Sequence, residues 1–509
     1  MKVISGDRRI DGVLITEDGG FDDPVLSFHQ ANTLGTGVTV TFNFLTDSNL
    51  PNFEVMNASQ RNAVLNILAM FETFANIEFE EVADGQEADI QFGNAALGQD
   101  GSGTVGITYL SFDTIDGTYG WLEDVEVYLA NDARVNPSEY ENPQPDTFAY
   151  GVLIHEIGHA VGLEHPFFGI RTPIGTDSTE YSMMSYTDGF AQPEEPRTVM
   201  PFDVLALQYL YGANMSHMSG NTRYDITEFE EGSIQTIWDA GGSDTVDLSA
   251  LGEAGPRFGG QSLHYVDLDR LIDTGAKVFV AEGSNLEHVV GSNFADWVVG
   301  NGLNNNINTG PGDDLIESRA GTDTVSAGSG DDSFMNSAGD DVFRGEGGDD
   351  RALGQAGDNL FYGGSGADVL LGGLGQDSLL GGGGDDAIAG DGYSTYFGSD
   401  DRLDGGADDD LLMGGLGADT FVFRPFEGSD TIARFDVETQ EILGRDFEIG
   451  QDSWMLLGFG FSDADQALQA FSNTANGAVF SSSGTTILIR GVTVEELTSD
   501  SFVFVDVGA

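Results

Sequence analysis

GGSGADVLL (363–371), GGLGQDSLL (372–380) and GGGGDDAIA (381–389) follow one another without a break, each with glycine in places one, two and four, aspartate in place six and an aliphatic residue in place eight. The period extends well beyond them. Laid out in nines, Gly291 to Ala389 holds eleven units, a six-residue insertion (Gly390 to Thr395) interrupts, and three more units run from Tyr396 to Val422. Place six is Asp or Asn throughout, and place eight is apolar throughout, from Val298 and Ile307 to Leu412 and Phe421. A flexible linker has no need of an apolar residue at a fixed phase, so these residues form structure.

The first six places of a unit suit a turn, because glycine tolerates positive φ, and the last three suit a short strand that buries place eight. This is the pattern of a parallel β-roll in which two units complete one coil. Turns on one side then come from alternate units. Asp296, Asp314, Asp332, Asp350, Asp368 and Asp386 fall in one column, and Asn305, Asp323, Asp341, Asn359 and Asp377 in the other. Stacked carboxylates repel one another, and the whole chain carries 19 basic against 85 acidic residues, a net charge of −66. A hard cation that prefers carboxylate and carbonyl oxygens is the natural counter-charge, so several calcium ions are expected, bound as the roll folds. The expected calcium ligands are Asp314, Asp332, Asp350, Asp368, Asp377, Asp386, Asp410 and Asp419, with full occupancy expected in the strictest units, Gly363 to Ala389 and Gly405 to Val422. Asn in the second column predicts weaker sites there.

The same charge argues against nucleic acid or an anionic membrane as partner. No cysteine is present, which removes disulfides, thiolate metal sites and cysteine nucleophiles. The opening MKVISGDRRIDGVLITEDGG lacks the apolar core of a secretory signal, and no stretch is apolar for the length of a membrane span. If the chain leaves the cell, another route is expected.

Ahead of the repeats the texture is that of an α+β domain. Residues 1–37 are polar and glycine-dotted, fitting either a short pro-segment or a flexible arm. From Val38 the alternation Val38, Val40, Phe42, Phe44 predicts a half-buried strand. Asn57 with Gln60 three residues on predicts a capped helix, buried along Val64, Leu65, Leu68, Phe71 and Phe74. Strands are expected near Ile90, Ile107 and Val127, and a helix from Pro201 that Gly212 closes.

Between them lies HEIGHAVGLEH, His155 to His165. On a helix, residues four apart share a face, so His155 and His159 can present two imidazoles to one metal. Glu156 beside them is placed to accept a proton from water activated by that metal. Gly162 allows a left-handed exit that would bring His165 round as third ligand, leaving a position open. Three of the seven histidines fall at this spacing. One catalytic zinc is the expected ion.

HEIGHAVGLEHP followed by YSMMSY (Tyr181 to Tyr186) resembles the metzincins and, within them, the serralysins, and the likeness runs through nearly everything after Val38. The resemblance implies a secreted zinc metalloendopeptidase acting on proteins or peptides, with Met184 as the turn methionine beneath the zinc. It also implies that Tyr186 is a displaceable zinc ligand that stabilises the oxyanion, and that the strand near Ile107 to Leu110 pairs with extended substrate. The ending DSFVFVDVGA resembles the C-terminal signal read by type I secretion machinery, although it also suits a last strand. The chain departs from the family in lacking the usual N-terminal tryptophan and in having Thr187 after the turn tyrosine. The expected layout is an N-terminal segment (1–37), a metzincin α+β domain (38–220), a β linker (221–290), the all-β roll (291–422) and a C-terminal β region (423–509). A monomer is expected. The rival reading is a calcium-binding surface or adhesive protein whose peptidase domain is inert.

Overall fold

The computed structural model describes the chain apart from residues 1–6, 12, 15–25, 30–32, 98–103, 116–118, 132–135, 146, 168–172, 174–175, 188–195, 230–232, 254–261, 392–397, 438 and 504–509. The last of these hold most of the expected export signal, and residues 392–397 most of the insertion. The chain divides into two compact units. The first comprises Met1–Asn221, Phe229–Gly242 and Asp269–Asn285, and the second Thr222–Glu228, Ser243–Leu268 and Leu286–Ala509.

In the first unit a helical turn α1 (Arg8–Asp11) and strand β1 (Leu26–Ser27) precede β2 (Val38–Phe44), α2 (Ala58–Phe74), β3 (Ile77–Glu81), β4 (Ile90–Ala95), β5 (Gly106–Ile115) and β6 (Tyr119–Ala130). Helices α3 (Pro137–Tyr140), α4 (Phe148–Ala160) and α5 (Pro201–Tyr211) follow. The sheet order is β1-β6-β4-β2-β3, with β5 antiparallel on β6 and the other pairs parallel. Asn57 caps α2 as its sequence predicts: its side chain accepts from Ser59 and Gln60 N–H at 2.8 and 3.0 Å, and Gln60 Oε1 accepts from Asn57 N–H at 2.9 Å. The buried stripe of α2 is Ala63, Val64, Ile67, Leu68, Phe71 and Phe74. Leu65, expected in it, is 38% exposed, because it lies one residue, about 100° of helical rotation, off that stripe.

Residues 1–37 are not merely an arm, since Val13, Leu14, Leu26 and Phe28 are buried in the core of the first unit. The linker 221–290 is not one piece, since its segments are shared between the two units.

The second unit is the roll. Among the described residues one ladder holds twelve parallel strands, from Arg223–Asp225 through Asn306–Pro311, Thr324–Ser329 and Ser378–Gly383 to Phe502–Val503. The other runs in parallel from His264–Asp267 through Asp296–Val299 and Leu315–Ala320 to Gly428–Ile432 and Thr485–Arg490. Register follows the period: Ile307 pairs Val325, and Val325 pairs Phe343, eighteen residues on each time. Across the insertion Ile388 pairs Leu412, so the strands keep phase. Every place-eight side chain from Val298 to Phe421 is fully buried. The ladders also outrun the repeats, because Gly428–Ile432 and Ser453–Leu456 in the tail add parallel strands to them.

Candidate metal centres

Helix α4 begins where the Thr147 side chain accepts the Tyr150 N–H, and its residues from Ala149 to Gly158 are all buried. Past its end the chain turns away at Gly162, whose φ of +98° disfavours any residue with a side chain. A Cβ there would also stand 2.6 Å from the Leu26 carbonyl oxygen. Leu163 then bridges Leu14, and the Glu164 N–H donates to Val13 O at 3.0 Å, so the N-terminal segment holds the stretch leading to His165.

The three expected imidazoles converge, with metal-ligating nitrogens within 4.8 Å of one another. His155 Nε2 and His165 Nε2 lie 3.2 Å apart. Each Nδ1 has an oxygen of its own: Met183 O at 2.9 Å for His155, Leu163 O at 2.8 Å for His159 and Glu164 Oε1 at 2.8 Å for His165. Such partners fix the ring and leave Nε2 as the lone-pair donor toward a shared point. Burial, helped by the neighbouring imidazoles, pushes His155 down to about 3 and His159 down to about 4, so both rings stay neutral. The donor set is one zinc favours, with three nitrogens and room for a fourth ligand.

From α4 Glu156 points its carboxylate to the same region, where the Thr108 hydroxyl on β5 donates to Oε2 at 2.8 Å. Burial pushes Glu156 up to about 7, against the Thr108 hydrogen bond. Tyr186, 69% exposed, places its ring centroid 5.4 Å from that of His155 and 4.7 Å from that of His165. Partial burial, with the charges of Glu156 and Glu164, raises its phenol, which therefore remains a hydrogen donor at neutral pH.

Met184 is fully buried against α4, and a Cβ on Gly158 would meet its Sδ at 2.5 Å. The turn is anchored by a residue that sequence reasoning passed over. Asp203, in the first turn of α5, accepts from Ser182 Oγ at 2.6 Å, Met183 N at 2.7 Å and Met200 N at 3.3 Å. It thereby fixes Met183, the residue whose carbonyl holds His155. Its only sequence signal was an acid near a helix start, which reads as a cap. Thr108 was hidden in strand alternation, and Glu164 in its adjacency to His165.

The roll brings the place-six residues into the two expected columns. In the first, the N–H of Asp296 donates to Asp314 Oδ1, Asp314 to Asp332, Asp332 to Asp350, Asp350 to Asp368 and Asp368 to Asp386, at 2.8–2.9 Å. The second runs likewise from Asn305 through Asp323, Asp341 and Asn359 to Asp377. Both continue past the insertion and into the tail, Asp410 N–H reaching Asp430 and Asp419 N–H reaching Asp452. In all eight expected ligands Oδ2 is buried with no hydrogen-bond partner among the described residues, and the same holds for Asp323 and Asp401, which were not among the expected ligands. Asp296 differs, because Ser292 N–H already occupies its Oδ2.

Place-one glycines make room for these oxygens. A Cβ on Gly363, Gly372 or Gly381 would lie 2.2, 2.3 or 2.1 Å from Oδ2 of its own place-six aspartate. Burial first, then neighbouring carboxylates, pushes Asp332, Asp386, Asp410 and Asp419 up to about 8. Orphaned carboxylate oxygens in a glycine cradle fit a hard divalent cation.

The RTX calcium-binding nonapeptide repeat matches four stretches, 299–334, 335–370, 362–392 and 398–421. Serralysin G of Dickeya chrysanthemi is 31% identical over 314 residues, 55% of this chain and 63% of the relative. The chain is serralysin-like. Metallopeptidase AprA of Pseudomonas marginalis is 29% identical over 53% of this chain and 61% of its own, and serralysin of Proteus mirabilis 29% over 49% and 56%. The serralysin-like chain thus spans about six tenths of the length of the curated relatives it matches.

Proposed function

We propose that this serralysin-like chain is a secreted zinc endopeptidase with a roll that folds on calcium. The observation that carries the reading is the convergence of three imidazoles, those of His155 and His159 held neutral, on one point beside the buried Glu156. His155, His159 and His165 would hold zinc, with Tyr186 as a displaceable fourth ligand. When bound, the ion supplies a Lewis acid for the scissile carbonyl and acidifies water alongside it. Glu156 takes a proton from the attacking water as the new C–O bond forms, and passes it to the amine nitrogen as the C–N bond breaks. A carboxyl held at about 7 suits both transfers near neutral pH. The Tyr186 hydroxyl donates to the carbonyl oxygen as that oxygen gains charge.

Among the described residues β5 pairs only with β6, which leaves its other edge open along the flank of α4. An extended protein or peptide substrate adding a strand there supplies main-chain hydrogen bonds whatever its sequence. Asp314, Asp332, Asp350, Asp368, Asp377, Asp386, Asp410 and Asp419 would ligate calcium, and a cysteine-free, calcium-dependent roll suits export of an unfolded chain by type I secretion. The protein is expected to act as a monomer.

The test is casein cleavage and zinc content of the full chain in calcium, beside Glu156→Ala. Cleavage that is lost in the variant while zinc stays bound supports the reading. A wild-type chain that binds zinc and calcium but cleaves nothing sinks it in favour of a calcium-binding adhesive protein with an inert peptidase domain.

A further inference from the structure

The strand with the open edge also carries the seat of Glu156. Gly106, Ile107, Thr108 and Tyr109 of β5 pair in unbroken register with Leu129, Tyr128, Val127 and Glu126 of β6, and the register first shifts beyond Tyr109. Over the same residues β6 also pairs with β4. This part of β5 is therefore a regular strand with a sheet behind it, and residues two apart on it share a face. Gly106 and Thr108 both turn toward α4.

What they meet there is one turn of the helix, Val152 and Glu156. A Cβ on Gly106 would lie 2.5 Å from Val152 Cγ1, 2.8 Å from Glu156 Cγ and 2.9 Å from Glu156 Oε1, so only a bare backbone lets the helix sit this close. On Thr108 the hydroxyl lies 2.8 Å from Glu156 Oε2 and equally 2.8 Å from the main-chain oxygen of Glu156. One strand hydroxyl thus meets both the side chain and the backbone of the same helical residue. Each carboxylate oxygen is placed by β5, Oε1 over the glycine and Oε2 on the hydroxyl.

We propose that Gly106 and Thr108 are positioning residues through which a substrate seated on β5 steadies the general base. A strand added to the open edge bonds to the same main chain that carries the seat. Binding energy from parts of the substrate remote from the scissile bond is then expressed in the aim of the Glu156 carboxylate, and so in kcat. The inference rests on the reading of Glu156 as general base and of β5 as the substrate edge.

The test uses the full chain in calcium, with bound zinc measured alongside, and compares wild type with Thr108→Val, which lacks the hydroxyl at similar shape, and Thr108→Ser, which keeps it. On a long extended peptide, kcat is expected to fall about 10- to 100-fold in Thr108→Val, as for other lost orienting contacts, while KM and zinc content hold. Thr108→Ser should recover most of that loss. The fall should be smaller on a short peptide cut at the same bond, because it does not reach along β5 to load the seat. A valine variant as fast as wild type, a serine variant as slow as valine, or an equal fall on both peptides overturns the proposal and leaves the peptidase reading standing. A wild type that cleaves neither peptide overturns both. Should Thr108→Val miss the native circular dichroism spectrum, crystals of wild type with an uncleavable extended peptide decide the matter. The peptide paired along β5 with the Thr108–Glu156 bond intact is expected there, and a peptide bound elsewhere, or a carboxylate turned away from Thr108, sinks the proposal.

Discussion

Replacing Gly158 by alanine sets two effects of known size against each other. In a free helix the change stabilises by about 0.8–1 kcal/mol. In α4 the new Cβ would stand 2.5 Å from Met184 Sδ and 2.7 Å from Met183 Cε, on side chains that are 0% and 4% exposed. Neither methionine can swing out to solvent, so the overpacking cost is about 1–3 kcal/mol. The net expectation is a loss of about 0–2 kcal/mol, with the strain falling on His155 and His159, which flank Gly158. Thermal unfolding of the full chain and zinc affinity against a competing chelator read the two consequences. The first unit should melt lower and hold zinc more weakly. Met184→Ala in the same background should recover part of the loss, a coupling of about 0.5–3 kcal/mol for groups in contact. A Gly158→Ala chain about 1 kcal/mol more stable than wild type would show that the turn methionine does not press on the metal helix as described.

Asp203→Ala leaves the buried Met183 N–H and Ser182 hydroxyl without an acceptor, at about 1–3 kcal/mol each, so urea unfolding of the first unit should weaken by about 2–6 kcal/mol. Asp203→Asn, which keeps one acceptor oxygen, should lose less, and an alanine variant within 0.5 kcal/mol of wild type (roughly the error of such comparisons) would remove Asp203 from its anchoring role. Within one repeat, Gly381→Ala should raise the calcium midpoint of folding, because its Cβ meets Asp386 Oδ2 at 2.1 Å, whereas Gly383→Ala meets nothing within 4 Å and should leave it unchanged. Equal responses would mean that the place-one glycine is not a cradle. In calcium-free buffer the roll should hold more β structure at pH 5 than at pH 9. Asp332, Asp386, Asp410 and Asp419 have folded values of about 8, raised above the unfolded 3.8, so their protonation stabilises the fold fully below the unfolded value and is lost as pH rises through 8. Circular dichroism across that range checks the sign.

What could be read directly from the sequence was whatever depends on neighbours in the chain. Each repeat meets the same environment as the next, so place six and place eight could be read as a column and a core without coordinates, and the ladders kept that phase across the insertion. The zinc motif lies within eleven consecutive residues, so helical geometry alone placed His155 and His159 together. The rest depends on contacts distant in sequence. Val13 and Leu14 have no periodicity of their own and are buried only because Leu163 and Glu164 return to them. Leu65 was chosen for hydrophobicity when phase decides the face. Thr108 and Asp203 act through partners 20 to 48 residues away, at positions no local pattern marks.

The hydrogen bonds along the place-six columns all point one way: the amide of each place-six residue is received by a side-chain Oδ1 one coil nearer the C-terminus. The array is therefore polar, like a stack of cups. Removing coils from its N-terminal end takes away donors and leaves only free acceptors, which water or an ion can serve. Removing coils from the C-terminal end strands a buried amide in each column with nothing to receive it. Only one end of such an array demands a lid, and Asp430 and Asp452 are its two halves, contributed by a tail with no repeat of its own.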